Sequence, residues 1–134
     1  MKKILLGLLI VASTLFAKVT DIEVTPQFIE NTNLKIIDIR TKSEWQETGI
    51  VKGSYTLTFF DERGNYDIEG FLTALDKIVK KGEKFALICR TGSRTTMVSN
   101  FLGNKLDYDV VNLRGGLMKL IHEGYKTEPY SSKK

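Results

Sequence analysis

Residues 85–94 read Phe-Ala-Leu-Ile-Cys-Arg-Thr-Gly-Ser-Arg, an apolar run that ends at the single cysteine of the chain. A short apolar run of this kind predicts a strand covered on both faces. The turn after it contains a glycine and leads into a predicted helix, so Cys89 would lie at the carboxyl end of the strand. Ligand sites in parallel α/β sheets lie beyond that end, and a helix start beside arginines favours a thiolate and binds anions.

A lone cysteine more often packs in a core as a small apolar residue. In this chain Arg90 and Arg94 lie one and five positions after Cys89, and a cysteine that only packs has no need for two guanidinium groups. We therefore predict that Cys89 is a reactive, partly exposed thiol in electropositive surroundings.

Outward from this turn, predicted strands alternate with predicted helices. Apolar runs predict strands at 34–39, 54–59, 85–88 and 110–113. Helices are predicted after the Thr25-Pro26 pair, from Ser43 as N-cap to Glu47, at 68–80, at 95–102 with Gly103 and Asn104 ending it, and from Gly115 to Gly124. This alternation predicts an α/β fold with a mainly parallel sheet of about five strands and helices on both faces.

Length and composition fit one domain, because the chain has 134 residues, 42% of them apolar, and can bury a single core. One cysteine excludes an internal disulfide framework and a thiolate-based metal cage within one chain. His122 is the only histidine, and we expect it on a solvated helix face. We expect neither a metal nor a cofactor.

The amino-terminal segment, residues 1–17, has the order of a secretory signal peptide. Lys2 and Lys3 precede an apolar stretch at 4–11, and small residues follow up to Ala17. The apolar stretch is too short to span a bilayer comfortably. We expect export to the periplasm with cleavage after Ala17 and no stable membrane insertion afterwards, while an uncleaved tether is the alternative.

The rest of the chain is expected to form one domain at 18–130 and a short frayed tail at 131–134. Loss of Lys2 and Lys3 lowers the formal charge of +4 by two, and the remaining basic residues are scattered among acidic ones. Nucleic-acid binding therefore has little support. We expect a monomer whose partners are small molecules.

Four segments, in order between Thr20 and Tyr125, resemble motifs of the rhodanese family of sulfurtransferases. They are Ile-Asp-Ile-Arg at 37–40, Ser-Glu-Trp at 43–45, Gly-Ile-Val-Lys-Gly-Ser at 49–54 and Leu-Arg-Gly-Gly at 113–116. The first two are similar to the family's Asp-x-Arg and Glu-aromatic segment, the third to its Gly-His-Ile-Pro-Gly-Ala signature and the fourth to its closing motif. The chain departs from the family pattern at Ile50, Lys52 and Leu120, where histidine, proline and tryptophan are usual.

Residues 89–94 resemble the six-residue active loop of a single-domain rhodanese, a more specific signal than an isolated cysteine. The resemblance implies a sulfurtransferase in which Cys89 accepts sulfur from an anionic donor such as thiosulfate. The sulfur would be held as a persulfide and passed to a thiol or cyanide. Substrate binding falls to the remainder of the loop, namely Arg90, Thr91, Gly92, Ser93 and Arg94.

The loop side chains have chemistry that suits this role. A planar guanidinium makes paired bonds to oxyanions, so Arg90 and Arg94 are candidates to orient the donor, although either can form a surface salt bridge instead. Gly92 is expected to supply a backbone conformation that a side chain would block. The hydroxyl groups of Thr91 and Ser93 are candidates to donate to sulfur or to cap the following helix.

Two other functions stay open. A cysteine phosphatase uses a Cys-x5-Arg loop, but Arg94 comes five positions after Cys89 and the sixth position is Thr95, so this loop is one residue too short. A sulfur carrier or a partner-binding module of the same fold is the second alternative.

Charged and aromatic residues near the first motif have structural explanations. Asp38 and Arg40 are expected to form a structural ion pair at the end of a strand, within reach of Glu44. Trp45 is expected to be a packing anchor.

Overall fold

Five parallel strands form one sheet in the computed structural model, which describes residues 18–131. The strands are β1 (Val19–Glu23), β2 (Lys35–Asp38), β3 (Tyr55–Thr56), β4 (Phe85–Ile88) and β5 (Val110–Arg114). Their spatial order is β1-β5-β4-β2-β3, and every neighbouring pair is parallel. The predicted parallel α/β sheet is confirmed. The predicted signal peptide at 1–17 and residues 132–134 of the predicted tail lie outside the described residues.

Helices connect the strands and cover the sheet. They are α1 (Pro26–Asn31), α2 (Lys42–Thr48), α3 (Ile68–Ile78), α4 (Ser93–Asn100) and α5 (Gly116–His122), and a π-helical segment, Phe101–Lys105, follows α4 directly. Thr25 caps α1 through a hydrogen bond from the Phe28 amide, with Pro26 at the first position, as the sequence predicts.

Each face of the sheet buries its own apolar cluster. On one face Leu87 of β4 packs with residues of α3 and α4, including Leu75 and Val98. On the other face Ile88 packs with residues of α5, including Leu117. All four β4 residues are fully buried, because a central strand between two helical layers contacts protein on both sides. This explains the unbroken apolar run before Cys89.

The start of α2 differs from the prediction that Ser43 is its N-cap. Thr41 caps this helix, and it forms a capping box with Glu44, in which each side chain accepts the backbone N–H of the other residue. A reciprocal box satisfies two amide donors at once, whereas the Ser43 hydroxyl donates to Glu62 instead. The helix therefore begins one residue earlier than Ser43 and extends to Thr48.

The helix predicted at 95–102 begins earlier and does not end at Gly103. It starts at Ser93 and continues as π-helical turns to Lys105. At Gly103 an added Cβ would lie 2.5 Å from the Val19 Cγ2 atom. The glycine is therefore needed because this segment packs closely against β1, and it does not terminate the helix.

A buried ion pair joins the end of β2 to the end of α2. The Arg40 guanidinium donates to both carboxylate oxygens of Asp38, and both side chains are fully buried. Arg40 also donates to the Thr48 hydroxyl and to the Gly49 carbonyl. The predicted structural pair is present, but Glu44 contacts other partners.

Candidate active site

The Cys89 thiol lies immediately after the central strand β4, at the carboxyl edge of the sheet. The Gly92 amide donates a hydrogen bond to the sulfur over 3.2 Å, and the thiol lies 3.6 Å from the Thr95 hydroxyl oxygen. The expectation of a partly exposed thiol is wrong, because Cys89 is only 1% exposed. The sulfur is enclosed by the loop that follows it and by the first turn of α4.

The loop owes its tight turn to Gly92. This residue has φ +106°, a left-handed conformation that a side chain disfavours, so the predicted backbone role has a structural basis. The Gly92 carbonyl oxygen accepts hydrogen bonds from the hydroxyl groups of Thr95 and Thr96. Those contacts attach the turn to the first turn of α4 and hold the Gly92 amide toward the sulfur.

The amino end of α5 fixes the loop from the other side. The Leu117 amide donates to the Cys89 carbonyl over 2.9 Å, and the Met118 amide donates to the Arg90 carbonyl over 3.1 Å. Gly116 has φ +68°, and an added Cβ would collide with the Arg90 carbonyl. The closing Gly-Gly motif therefore supports the active loop, a role that the sequence does not reveal.

Arg94 does not point freely toward a substrate. Its guanidinium forms a paired interaction with Glu44, with one 2.8 Å hydrogen bond to each carboxylate oxygen. Arg90 lies 3.5 Å from Glu44 and 3.5 Å from Glu47, both through the same nitrogen. Glu44 therefore joins both arginines of the loop, and sequence reasoning missed it as a site residue. The capping-box spacing from Thr41 and the Ser-Glu-Trp segment at 43–45 are the sequence signals that could have indicated it.

This pairing sets the charge state of the carboxylate. The pKa of Glu44 falls from 4.5 to about 2, mainly because Arg94 donates a hydrogen bond to the carboxylate. Burial opposes this fall, and the hydrogen bond from the Thr41 amide contributes to it. The hydrogen bond between Arg94 and Glu44 also raises the pKa of Arg94, and the nearby charge of Glu44 adds to that increase against the opposing effect of burial. The pair is ionised at neutral pH, close to the sulfur.

The remaining predicted loop residues face the solvent. Thr91 and Ser93 are exposed, and they line a surface cleft together with Glu23, Thr96 and Arg114. No hydrogen bond joins either hydroxyl to the Cys89 sulfur among the described contacts. The structure thus brings Gly92 to the sulfur, holds Arg90 and Arg94 on Glu44, and leaves Thr91 and Ser93 at the rim of the cleft.

An aromatic groove lies on the α3 and α4 side of the sheet. Phe59 contacts the rings of Phe60, Tyr66 and Phe71, and it packs in the same cluster as Cys89. In α2, Trp45 is buried and its ring lies 5.2 Å from that of Tyr130. Trp45 therefore packs as predicted.

Within residues 18–131, no group of three His, Cys, Asp or Glu side chains has an arrangement that could hold a metal ion. His122 is exposed at the end of α5, in agreement with the prediction. The helices of this part of the chain are all too short or too polar to cross a membrane.

A comparison with known protein families agrees with the observed fold. The profile of the rhodanese-like domain matches residues 23–123, which is most of the chain. This protein belongs to the rhodanese-like domain family. The matched range contains all five helices and all of the sheet except most of β1.

Curated relatives of this rhodanese-like protein include uncharacterized proteins of Rickettsia rickettsii and Rickettsia conorii. Each is 32% identical over 79 residues, a match that covers 57% of this chain and 63% of the relative. The chain thus spans less than two thirds of the length of these relatives.

Solved structures share the rhodanese-like fold at low sequence identity. A rhodanese-like domain protein of Staphylococcus aureus is 20% identical with a TM-score of 0.58, covering 81% of this chain and 98% of that one. A rhodanese-like domain of Anabaena is 18% identical with a TM-score of 0.61, covering 84% and 83%. A Rhodopseudomonas palustris protein of unknown function, described as a possible tyrosine phosphatase, is 18% identical with a TM-score of 0.55, covering 96% of each chain. These similarities support the fold alone.

Proposed function

We propose that this rhodanese-like domain is a sulfurtransferase that carries sulfur as a persulfide on Cys89. The observation that carries the proposal is the Gly92 amide, which donates to the sulfur at 3.2 Å. An amide directed at sulfur stabilises negative charge there. Both the attacking thiolate and the terminal sulfur of a persulfide carry that charge.

The reaction proceeds in two halves through a covalent intermediate. In the first half the Cys89 thiolate attacks the outer sulfur of thiosulfate, the sulfur–sulfur bond of the donor breaks, and its electron pair leaves with sulfite. In the second half cyanide attacks the terminal sulfur of the persulfide. Thiocyanate leaves and the thiolate is restored, whereas a thiolate acceptor would leave as a persulfide.

Charge and confinement at the loop favour a small anionic donor. Arg90 and Arg94 bring two positive charges to the Cys89 loop. Glu44 pairs closely with Arg94, whereas Arg90 has only 3.5 Å contacts with Glu44 and the exposed Glu47. Because Cys89 is nearly fully buried, a single sulfur atom fits the site better than a bulky group. Thiosulfate meets both requirements, with cyanide or a small thiol as the acceptor.

Turnover of thiosulfate and cyanide to thiocyanate tests the proposal. The wild-type protein should produce thiocyanate, and Cys89→Ser should abolish production while leaving the fold intact, because the change is small. Full activity in Cys89→Ser would overturn the proposal. Wild-type protein that binds sulfur but does not release it to cyanide or thiols would identify a carrier in place of an enzyme.

A phosphatase is the second candidate, because a structural neighbour carries that description. The loop geometry opposes it, since Arg94 is held by Glu44 and the residue in the phosphatase arginine position is the fully buried Thr95. Hydrolysis of an aryl phosphate measured beside sulfur transfer separates the two activities. If the proposal is correct, the protein should show no hydrolysis of the aryl phosphate that depends on Cys89.

Export to the periplasm is part of the proposal, since Lys2, Lys3 and the following apolar stretch have the order of a signal peptide. Amino-terminal sequencing of protein recovered from the periplasmic fraction should begin at Lys18. Recovery of Met1 in a membrane fraction would instead identify an uncleaved tether.

A further inference from the structure

The two arginines of the Cys89 loop are held with different strength, although both contact Glu44. Arg94 makes two 2.8 Å hydrogen bonds in the paired geometry that suits guanidinium and carboxylate. Arg90 makes single 3.5 Å contacts with Glu44 and Glu47, and its side chain is 35% exposed. An incoming anion can therefore displace the contacts of Arg90 more easily than those of Arg94.

Glu44 is itself fixed to the body of the fold. Its Oε1 atom accepts hydrogen bonds from the amide and hydroxyl groups of Thr41, and its side chain is only 15% exposed. The capping box places it in the first turn of α2, beside the buried Asp38–Arg40 pair. A carboxylate held in this way has little freedom to follow a moving arginine.

We infer that Glu44 is a positioning residue of the active loop. It holds Arg94 in a fixed place at the start of α4, and Arg90 is the guanidinium that binds the anionic donor. This inference rests on the proposed function and divides two like-charged residues into two roles. Arg94 shapes the loop around Cys89, and Arg90 contacts the substrate.

The charges of the site support this division. Glu44 carries one negative charge, which Arg94 matches through both of its carboxylate oxygens. The charge of Arg90 is then opposed mainly by Glu47, whose side chain is 62% exposed and therefore well screened. Arg90 consequently carries the more weakly paired positive charge of the loop, which an incoming oxyanion can bind.

Steady-state kinetics with thiosulfate separates the two roles. Glu44→Gln and Arg94→Lys should each lower kcat about tenfold or more, because both break the paired interaction and displace the loop. Arg90→Gln should raise KM for thiosulfate about tenfold with a smaller change in kcat, because it removes binding of the donor. Glu69→Gln neutralises an exposed glutamate of α3 that is not an ion-pair partner of Arg90 or Arg94. It is the control and should change either constant less than about twofold.

Alkylation of Cys89 tests the same division without sulfur transfer. Glu44→Gln and Arg94→Lys should raise the rate with neutral iodoacetamide, because a loosened loop exposes a sulfur that is nearly fully buried. Arg90→Gln should leave that rate unchanged and slow alkylation by the anion iodoacetate. If the wild-type protein transfers no sulfur, the proposed function fails, but these alkylation rates still decide the inference.

Three results would overturn the inference. The first is Glu44→Gln with unchanged kcat and unchanged iodoacetamide rate, which would leave Glu44 without a positioning role. The second is Arg94→Lys that raises KM with kcat intact, because Arg94 would then bind the donor. The third is Arg90→Gln that reacts with iodoacetate as fast as the wild type does. Should Glu44→Gln fail to fold, Arg94→Lys retains the charge and decides the question alone.

Discussion

Two arginine–carboxylate pairs lie at the carboxyl edge of the sheet and differ in burial. The Asp38–Arg40 pair, which we call the frame pair, has both side chains 0% exposed. The Glu44–Arg94 pair, which we call the loop pair, has side chains 15% and 26% exposed. The frame pair connects two secondary-structure elements, whereas the loop pair connects the body of the fold to the residues around Cys89.

The difference shows how one type of interaction serves two purposes. The Arg40 side chain is fully buried, and its other N–H groups donate to the Thr48 hydroxyl and the Gly49 carbonyl. The frame pair can therefore only stabilise the fold. Arg94 is half-buried beside the sulfur, where small shifts alter the loop. We therefore expect changes in the frame pair to reduce stability most, and changes around the loop pair to reduce activity more than stability.

The largest effect is expected at the frame pair. Asp38→Ala should lower the free energy of unfolding by about 3–5 kcal/mol, because it leaves the Arg40 charge buried without a counter-charge. Urea unfolding measures this loss. The double variant Asp38→Leu/Arg40→Met removes both charges and should recover much of the stability. If Asp38→Ala were as stable as the wild type, the frame pair would not have the stabilising role that distinguishes it from the loop pair.

Gly116→Ala should disturb the loop from the α5 side. The added Cβ collides with the Arg90 carbonyl, and the left-handed backbone adds strain, so stability should fall by about 1–3 kcal/mol and sulfur transfer by about tenfold or more. The matched control is Gly124→Ala, which has a similar positive φ but no atom within 4 Å of an added Cβ. It should lose stability only. Equal activity in both variants would contradict a role for α5 in holding the loop.

Glu44→Gln should lower stability by about 1–2 kcal/mol at about pH 7. Arg94 lowers the pKa of Glu44 from 4.5 to about 2 in the folded state. The stabilisation is therefore complete above pH 4.5 and is lost as the pH falls toward 2. Unfolding of wild type and variant at several pH values should show curves that converge over this range. A difference that persists unchanged at pH 2 would show that the loss does not come from the charge of Glu44.

The smallest effect is expected at the carboxyl-terminal end of the described chain. Tyr130 lies against Trp45, and Tyr130→Ala should cost about 0.5–1.5 kcal/mol from the lost ring contact. Thermal melting measures this loss, and sulfur transfer should stay within about twofold of wild type because the contact removed is the one between Tyr130 and Trp45. A large loss of sulfur transfer at unchanged stability would show that the contact between Tyr130 and Trp45 affects the position of Glu44, which lies on the same helix.

The sheet and most helices were predictable because their signals are local. The fully apolar run at 85–88 predicted β4 with its observed bounds, and the Thr25-Pro26 pair predicted the start of α1. β1 was not located from the sequence, because three of its five residues are exposed and none is fully buried, and because its position beside β5 is a long-range contact. The end of the helix at Gly103 was predicted wrongly, because close packing against Val19 requires that glycine.

Only the part of the candidate site that is continuous in sequence could be predicted. The loop 89–94 is continuous, so the sequence could indicate Cys89 and its neighbours together. Glu44 approaches the loop from α2, 50 positions before Arg94, and Gly116 approaches it from α5, 26 positions after Arg90. The loop sequence by itself indicates neither contact. Cys89 is buried in a cluster that includes residues of α3 and α4, and those of α3 are distant from it in sequence. The sequence near Cys89 does not indicate this burial, and a partly exposed thiol was therefore expected.

The central claim is that Cys89 accepts one sulfur atom and holds it as a persulfide. Intact-mass spectrometry of the protein after thiosulfate treatment, beside Cys89→Ser treated in the same way, tests it most directly. The wild type should gain the mass of one sulfur atom, cyanide should remove that mass, and the variant should gain nothing. A wild-type protein with a free thiol and no added sulfur, or the same gain in the variant, would contradict it.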